Sequence, residues 1–183
     1  MPPDDPTATT ARLTTARLTT GPFTIRPIDP AEHALLGAIT VAAYEATGEV
    51  LEADYAAELR DVSARAGDCQ VLVAAAPDGT ILGGVTYVPG PGASMSELEH
   101  EGEAGIRMLA VDPAAQGLGV GRALTVACLD LAREAGRTGV ALYTRPNNEV
   151  ARRLSGSLGF VRDPGRDWRY APGRRLWAFR LVF

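Results

Sequence analysis

The sequence predicts an α/β (α+β) domain, a three-layer sandwich of helices and sheet. The first observation is the order of patterns: one strand, two helices, three strands, a helix, a strand, a helix and closing strands. The second is the middle of the chain. There an apolar run from Ile106 to Val111 feeds a glycine-rich turn and then a stripe of Val120, Leu124, Ala127/Cys128 and Leu131 at helical spacing. The third is composition. A chain of 183 residues, 46% hydrophobic and 22% charged, suits one globular domain with a sizeable core.

Residues 1–20 contain Thr-Ala-Arg-Leu-Thr twice in succession after a Pro/Asp-rich start, which reads as a disordered or weakly docked extension to a single domain over 21–183. Phe23-Thr-Ile-Arg26 alternates as a short strand. Asp29-Pro30 supplies an N-cap and a first-turn proline for a helix to about Tyr44, and 50–66 reads as a second amphipathic helix. Residues 70–76 and 80–88 are strands joined by Pro77-Asp78-Gly79, a hairpin turn. An acidic loop holding Glu97, Glu99, His100, Glu101 and Glu103 precedes the central strand. Beyond the central helix, 139–144 is a strand, 146–158 a helix, and 159–161 and 176–183 are strands around an Arg/Pro/Gly-rich loop.

Charge divides the chain. Residues 1–100 hold 5 arginines against 14 acids, net −9, and residues 101–183 hold 13 against 8, net +5. The basic half suits a polyanionic ligand, and the acidic half suits a cationic acceptor. Nucleic-acid binding is disfavoured, because the chain is acidic and its C-terminal arginines lack interleaved aromatics beyond Trp168 and Tyr170. No apolar run approaches the ~20 residues that span a bilayer, and no basic-then-apolar leader opens the chain. Cys69 and Cys128, placed in separate elements, read as reduced packing residues in a cytoplasmic protein. Two histidines without a Cys/His cluster give no metal site.

The turn after Val111 carries the chemistry. Asp112-Pro113 stops the strand, since proline cannot donate to a ladder. Gln116, Gly117, Leu118, Gly119, Val120, Gly121 and Arg122 then bring backbone amides to a helix N-terminus, where orphan N–H groups and the positive dipole end hold an anion. A nucleotide P-loop would need Gly-Lys-Ser/Thr, and the chain has no lysine. The dinucleotide spacing fails at Arg122, where its third glycine belongs.

Gln116-x-x-Gly119-x-Gly121 after a Val-Asp-Pro strand end resembles the pyrophosphate-binding motif of the GNAT family of N-acetyltransferases. A second segment, from Asn148 through Ala151, Leu154 and Leu158 to Gly159-Phe160, is similar to that family's Asn-x-x-Ala-x-x-Leu-Tyr-x-x-Leu-Gly-Phe in all positions but one. The resemblance covers about residues 23–183. It implies a GNAT-like three-layer sandwich whose central mixed, mostly antiparallel sheet is splayed between the fourth and fifth strands, 106–111 and 139–144, with acetyl-CoA lying in the gap and no metal. It implies further that pantetheine pairs with Leu109, Ala110 and Val111, that the amides of Gly117 to Arg122 take the pyrophosphate, and that Asn148 bonds the pantetheine arm. An amide near Leu109 would polarise the thioester carbonyl.

Two departures matter. Family members commonly carry a glutamate base 11 residues before the motif glutamine, here Gly105, and a tyrosine acid after the motif leucine, here Ser155. Glu103, two residues from Gly105 on the same face by alternation, is the candidate base through a water, and Ser155 is the candidate acid. Tyr44, His100 and Glu101 are further candidates for the base. The implied activity is direct transfer of acetyl from acetyl-CoA to a primary amine of a small molecule, by an enzyme that is a monomer or a homodimer. A CoA-binding module with little turnover and a protein N-terminal acetyltransferase are the alternatives.

Overall fold

The computed structural model describes residues 18–19, 22–48, 50–97, 100–171 and 174–183. Leu18–Thr19 forms a short strand β1 on the edge of β2 (Thr24–Pro27), while residues 1–17 of the expected extension lie outside the described residues. A 3-10 turn, Pro30–Glu32, follows with a full capping box. The Asp29 side chain accepts from the Ala31 amide at 2.9 Å, Glu32 reaches back to the Asp29 amide, and Arg26 is salt-bridged to Glu32 at 2.6 Å. Helix α1 (His33–Glu45) continues from it.

The expected helix over 50–66 is two helices, α2 (Ala53–Arg60) and α3 (Val62–Arg65). Asp61 separates them at φ −80, ψ 74, because its side chain caps α3 through the Ala64 amide at 2.9 Å. Arg65, 1% exposed, returns to the end of α2 and donates to the Leu59 carbonyl at 3.0 Å. The break is therefore hydrogen-bonded from both sides.

Strands β3 (Gln70–Ala75) and β4 (Ile81–Val88) form the hairpin. Strand β5 (Glu103–Val111) starts three residues before the apolar run, since the buried Glu103 finds arginine partners. Helix α4 (Val120–Glu134), strand β6 (Gly139–Thr144) and helix α5 (Glu149–Ser157) follow. The 146–158 helix is thus shorter than expected, starting after Asn148. Gly159, at φ 90, ends the last helix before β7 (Val161–Arg162). Within the Arg/Pro/Gly-rich loop, β8 (Trp168–Ala171) pairs with the long closing strand β9 (Arg174–Val182).

The sheet runs β1-β2-β3-β4-β5-β6-β9-β7. All its pairings are antiparallel except β5–β6. On one face α4 buries Val120, Leu124, Ala127, Cys128 and Leu131 against Leu72, Val85, Ile106 and Val140, which is the predicted stripe. The opposite face carries α1–α3, through Leu36 and Ile39 on β3 and through Val41 and Leu59 on Met108. Both faces are apolar, so the central strands are buried throughout, which is why they read as continuous apolar runs.

Candidate functional site

Opposite β4, strand β5 carries one extra residue. Arg107 pairs with Thr86 and Ala110 with Gly84, so Met108 and Leu109 together face Val85. This is a β-bulge, and Met108 sits at φ 51 within it. The bulge turns Arg107 and Met108 to the same face: Arg107 meets Glu97 and Glu58, and Met108 joins Val41 and Leu59. Leu109 and Val111 swing to the α4 side.

Just past this point the sheet opens. The parallel ladder between β5 and β6 runs from Glu103↔Gly139 to Ile106↔Leu142 and stops, while β6 stays paired with β9 to Thr144↔Trp177. The Asp112 amide donates to Leu82 on the β4 side at 2.9 Å. By the two-residue alternation of strand amides, Leu109 and Val111 turn their N–H and C=O toward the gap and Ala110 toward β4. The expected splay therefore leaves an open strand edge at Leu109–Val111.

The same strand delivers the glycine turn. Asp112 caps a 3-10 turn, Pro113–Ala115, by accepting from Ala114 at 2.8 Å. Gln116 is extended, and Gly117 and Gly119 both stand at φ 80, where a side chain would be strained. The first α4 bond joins the Ala123 amide to the Gly119 carbonyl at 3.0 Å, so the amides of Val120, Gly121 and Arg122 have no helical acceptor. Gln116 through Gly119 are exposed, and no side chain caps the helix. Arg122 is exposed on the first turn and donates to Ser157 on α5 at 3.1 Å. Gly121 faces Leu154 of α5 and Val111 of β5, each 3.5 Å from where its Cβ would stand. Helix α5 thus lies beside the turn and the gap. Asn148 at its start accepts from the Ala151 amide at 3.0 Å, acting as its N-cap. That contact uses the side-chain oxygen and not the amide nitrogen.

Glu103 and Ser155 have definite occupations. The Glu103 side chain is fully buried and holds Arg166 at 2.7 Å, with a second bond from Arg180. Burial alone would raise this carboxyl, and Arg166 and Arg180 outweigh it, holding it below the usual carboxylate range. A carboxylate so tied is a weak base, and it stands at the paired end of β5 rather than at the splay. The Ser155 hydroxyl, on a residue 4% exposed, donates to the Ala151 carbonyl at 2.8 Å. Its proton is thereby spent on the backbone.

Beside Gly105 the structure has a small cavity. Gly105, Ala141, Tyr143, Met95, Arg107 and Glu97 line it. Glu97 comes from the loop before β5, and its side chain is 13% exposed. One carboxylate oxygen lies 3.0 Å from Arg107, an ion pair without hydrogen-bond alignment. Burial pushes the Glu97 carboxyl above its ordinary value, Arg107 draws it part of the way back, and Glu58 adds to the rise. Tyr143 donates to the Glu97 carbonyl at 3.2 Å and Arg107 to the Met95 carbonyl at 3.1 Å. Asp68 holds the Ser94 amide at 2.7 Å. The wall beyond is aromatic, with Tyr44 and Tyr55 edge to face at 6.1 Å, and burial raises the Tyr55 hydroxyl's pKa. Sequence reasoning placed Glu97 in an acidic loop and went no further. A glycine where a carboxylate is expected, next to an acidic loop, is the signal that singles it out.

Among the described residues no cluster of His, Cys, Asp and Glu is arranged to hold a metal ion, and no helix is long and apolar enough to cross a membrane.

A profile described as Acetyltransferase (GNAT) family matches residues 35–160. Two relatives carry the name mycothiol acetyltransferase. The one from Sanguibacter keddieii is 35% identical over 134 residues, 73% of this chain and 41% of its own length. The one from Nocardiopsis dassonvillei is 43% identical over 108 residues, 54% of this chain and 32% of its own length. The chain thus spans less than half the length of these relatives. Among solved structures, a GNAT acetyltransferase from Brucella melitensis in complex with acetyl-CoA superposes with a TM-score of 0.60 at 26% identity, covering 88% of each chain. A GNAT structure from Kribbella flavida gives 0.67 at 22% identity, over 88% of this chain and 98% of the other, and so shows the same fold.

Proposed function

Because the chain belongs to the GNAT acetyltransferase family, we propose that it transfers an acetyl group from acetyl-CoA directly to a primary amine of a small molecule. One observation carries the reading. The uncapped start of α4, with two positive-φ glycines before it, stands at the end of the strand whose free edge faces the gap. A ligand with a pyrophosphate at one end and amides along an extended arm matches both features at once. The residues present fit acetyl-CoA as substrate. The amides of Gly117 to Arg122 take the pyrophosphate, with Gln116 and Leu118 shaping the turn. The arm pairs with Leu109, Ala110 and Val111, and Asn148 donates to it from across the gap. A backbone amide at Leu109, turned into the gap, is placed to polarise the thioester carbonyl.

The acceptor enters from the α1–α2 side, where Glu58, Glu97 and the Tyr44–Tyr55 pair favour a cationic amine. Deprotonated there, the amine attacks the carbonyl carbon, the C–S bond breaks, and the thiolate collects one of the two amine protons while the amide keeps the other. Such a thiolate needs less protonation than an alkoxide leaving group, so the Ser155 hydroxyl need not be the acid. No cysteine or serine at the site is set as a nucleophile. Cys128 is buried on the sheet-facing side of α4, and burial drives its thiol pKa far up. We place the protein in the cytoplasm, as a monomer or a homodimer.

Calorimetric titration with acetyl-CoA tests the cofactor site. The native protein should bind in the micromolar range, and Gly119→Asp, which sets a carboxylate at the helix start and strains the turn at φ 80, should weaken binding about 100-fold through both effects. A folded native protein with no affinity for acetyl-CoA or CoA overturns the reading. Turnover is then followed as CoA release with simple primary amines and a peptide N-terminus.

A further inference from the structure

We propose, resting on the acetyltransferase reading above, that Glu97 is the base that removes the acceptor's proton, reaching from its loop into the space left by the missing side chain at Gly105. The geometry argues for it in three steps. Strand β5 presents no carboxylate beside the splay, because Gly105 has no side chain and Glu103 is locked between Arg166 and Arg180. Glu97 fills that want from another element: Glu97, Gly105, Ala141 and Tyr143 line one cavity, next to the bulge where the thioester carbonyl would be polarised. The loop is also fixed in place. Tyr143 holds the Glu97 carbonyl, Arg107 the Met95 carbonyl, and Asp68 the Ser94 amide and hydroxyl. A base on a loop needs this support to keep its position.

The charged and titratable groups facing Glu97 come from three elements: Arg107 on β5, Glu58 on α2 and the Tyr143 hydroxyl on β6. Arg107 favours the ionised carboxylate, while burial and Glu58 outweigh it and raise the carboxyl above the usual glutamate range. A base near the working pH transfers protons best. In the step itself, the ammonium gives one proton to Glu97, leaving a neutral amine. The amine forms the new C–N bond, the C–S bond breaks, and the second proton passes from nitrogen to the departing thiolate. Glu97 then releases its proton to solvent.

The test compares native protein with Glu97→Gln, using the best acceptor from the amine panel, across pH 5.5 to 9.5, a span on the order of the glutamate-to-amine titration range. Glu97→Gln should bind acetyl-CoA within about twofold of the native protein and lose ~100-fold in kcat/KM near neutrality. The loss should shrink as pH rises and more acceptor is already neutral. Glu97→Gln with Gly105→Glu, which sets a carboxylate on β5 at the same cavity, should recover roughly tenfold. If Glu97→Gln does not fold, Glu97→Asp replaces it, and should keep the acidic limb of the pH profile while losing about tenfold. A variant within threefold of native across the range (roughly 0.6 kcal/mol in barrier) overturns the assignment, as does a loss that is equal at every pH. In either case the acetyltransferase reading stands. A native protein that binds acetyl-CoA but releases no CoA with any amine overturns both.

Discussion

Ser155 occupies the position where the family resemblance implies a tyrosine acid, and its hydroxyl already donates to Ala151 one turn back. Such back-bonding is common for serine within a helix and leaves no proton for a departing group. Ser155→Ala should therefore keep kcat within about threefold of native and cost about 1 kcal/mol of stability or less, the net worth of one such bond. Steady-state kinetics and a thermal melt check both. The glycine turn at 117–121 was legible at this scale, because a glycine's lack of side chain is a local fact that survives into the fold. The partners of Glu103 were not. Arg166 and Arg180 lie 63 and 77 residues away in sequence, and only the packed sheet brings them together. Glu97 was half legible: its charge could be read, while its burial beside Gly105 follows from where the loop lands.

Strand β5 is the element on which the site is assembled. Its first part pairs on both sides, its bulge reverses which side chains face α4, and its last part pairs on one side only. The apolar run from Ile106 predicted the strand and its burial, but not the bulge, because an extra residue in one strand is defined only against its neighbour. Met108 carries the cost at φ 51. Its side chain is 6% exposed in the cluster with Val41 and Leu59, so packing on α1 and α2 supports the unusual backbone. Met108→Ile keeps an apolar side chain but branches it at Cβ, which the left-handed region tolerates poorly. It should destabilise the protein by about 1–3 kcal/mol in urea unfolding and also lower kcat, since the bulge sets the amide proposed to face the thioester. The helix over 50–66 failed as a single element for a related reason. Its apolar pattern runs on, while Asp61 caps the second half locally and ends the first.

Across the whole molecule, the buried Glu103 with Arg166 and Arg180 ties the start of β5 to β9 and to the loop after β7. Removing a charge from such a group leaves two arginines without their partner. Glu103→Gln should cost about 3 kcal/mol, seen as a thermal midpoint lowered by roughly 6–12 °C for a domain of this size. The pH dependence has a definite sign. Glu103's pKa is lowered by folding, so its contribution is present above the unfolded value of about 4.3 and is lost as pH falls through its lower folded value. Native stability should thus decline on acidification below about pH 4, and the Glu103→Gln variant should show a flatter profile there in acid-unfolding curves. Glu97 works in the opposite sense: folding raises its pKa, so acidification through that raised value adds stability, a gain complete by about pH 4.3 and thus above the window in which Glu103's contribution is lost.

The break in the β5–β6 ladder also exposes the empty protein to a hazard. A bare strand edge with turned-out amides is a template for any extended chain that reaches it, another protein's as readily as a cofactor's arm. Here the edge lies recessed between two strands that diverge from a common root, so a thin, flexible pantetheine arm can enter where a second folded sheet cannot. The fold thus screens visitors by thickness before any side chain reads them, and a resident acetyl-CoA would act as a stopper against aggregation as well as a donor.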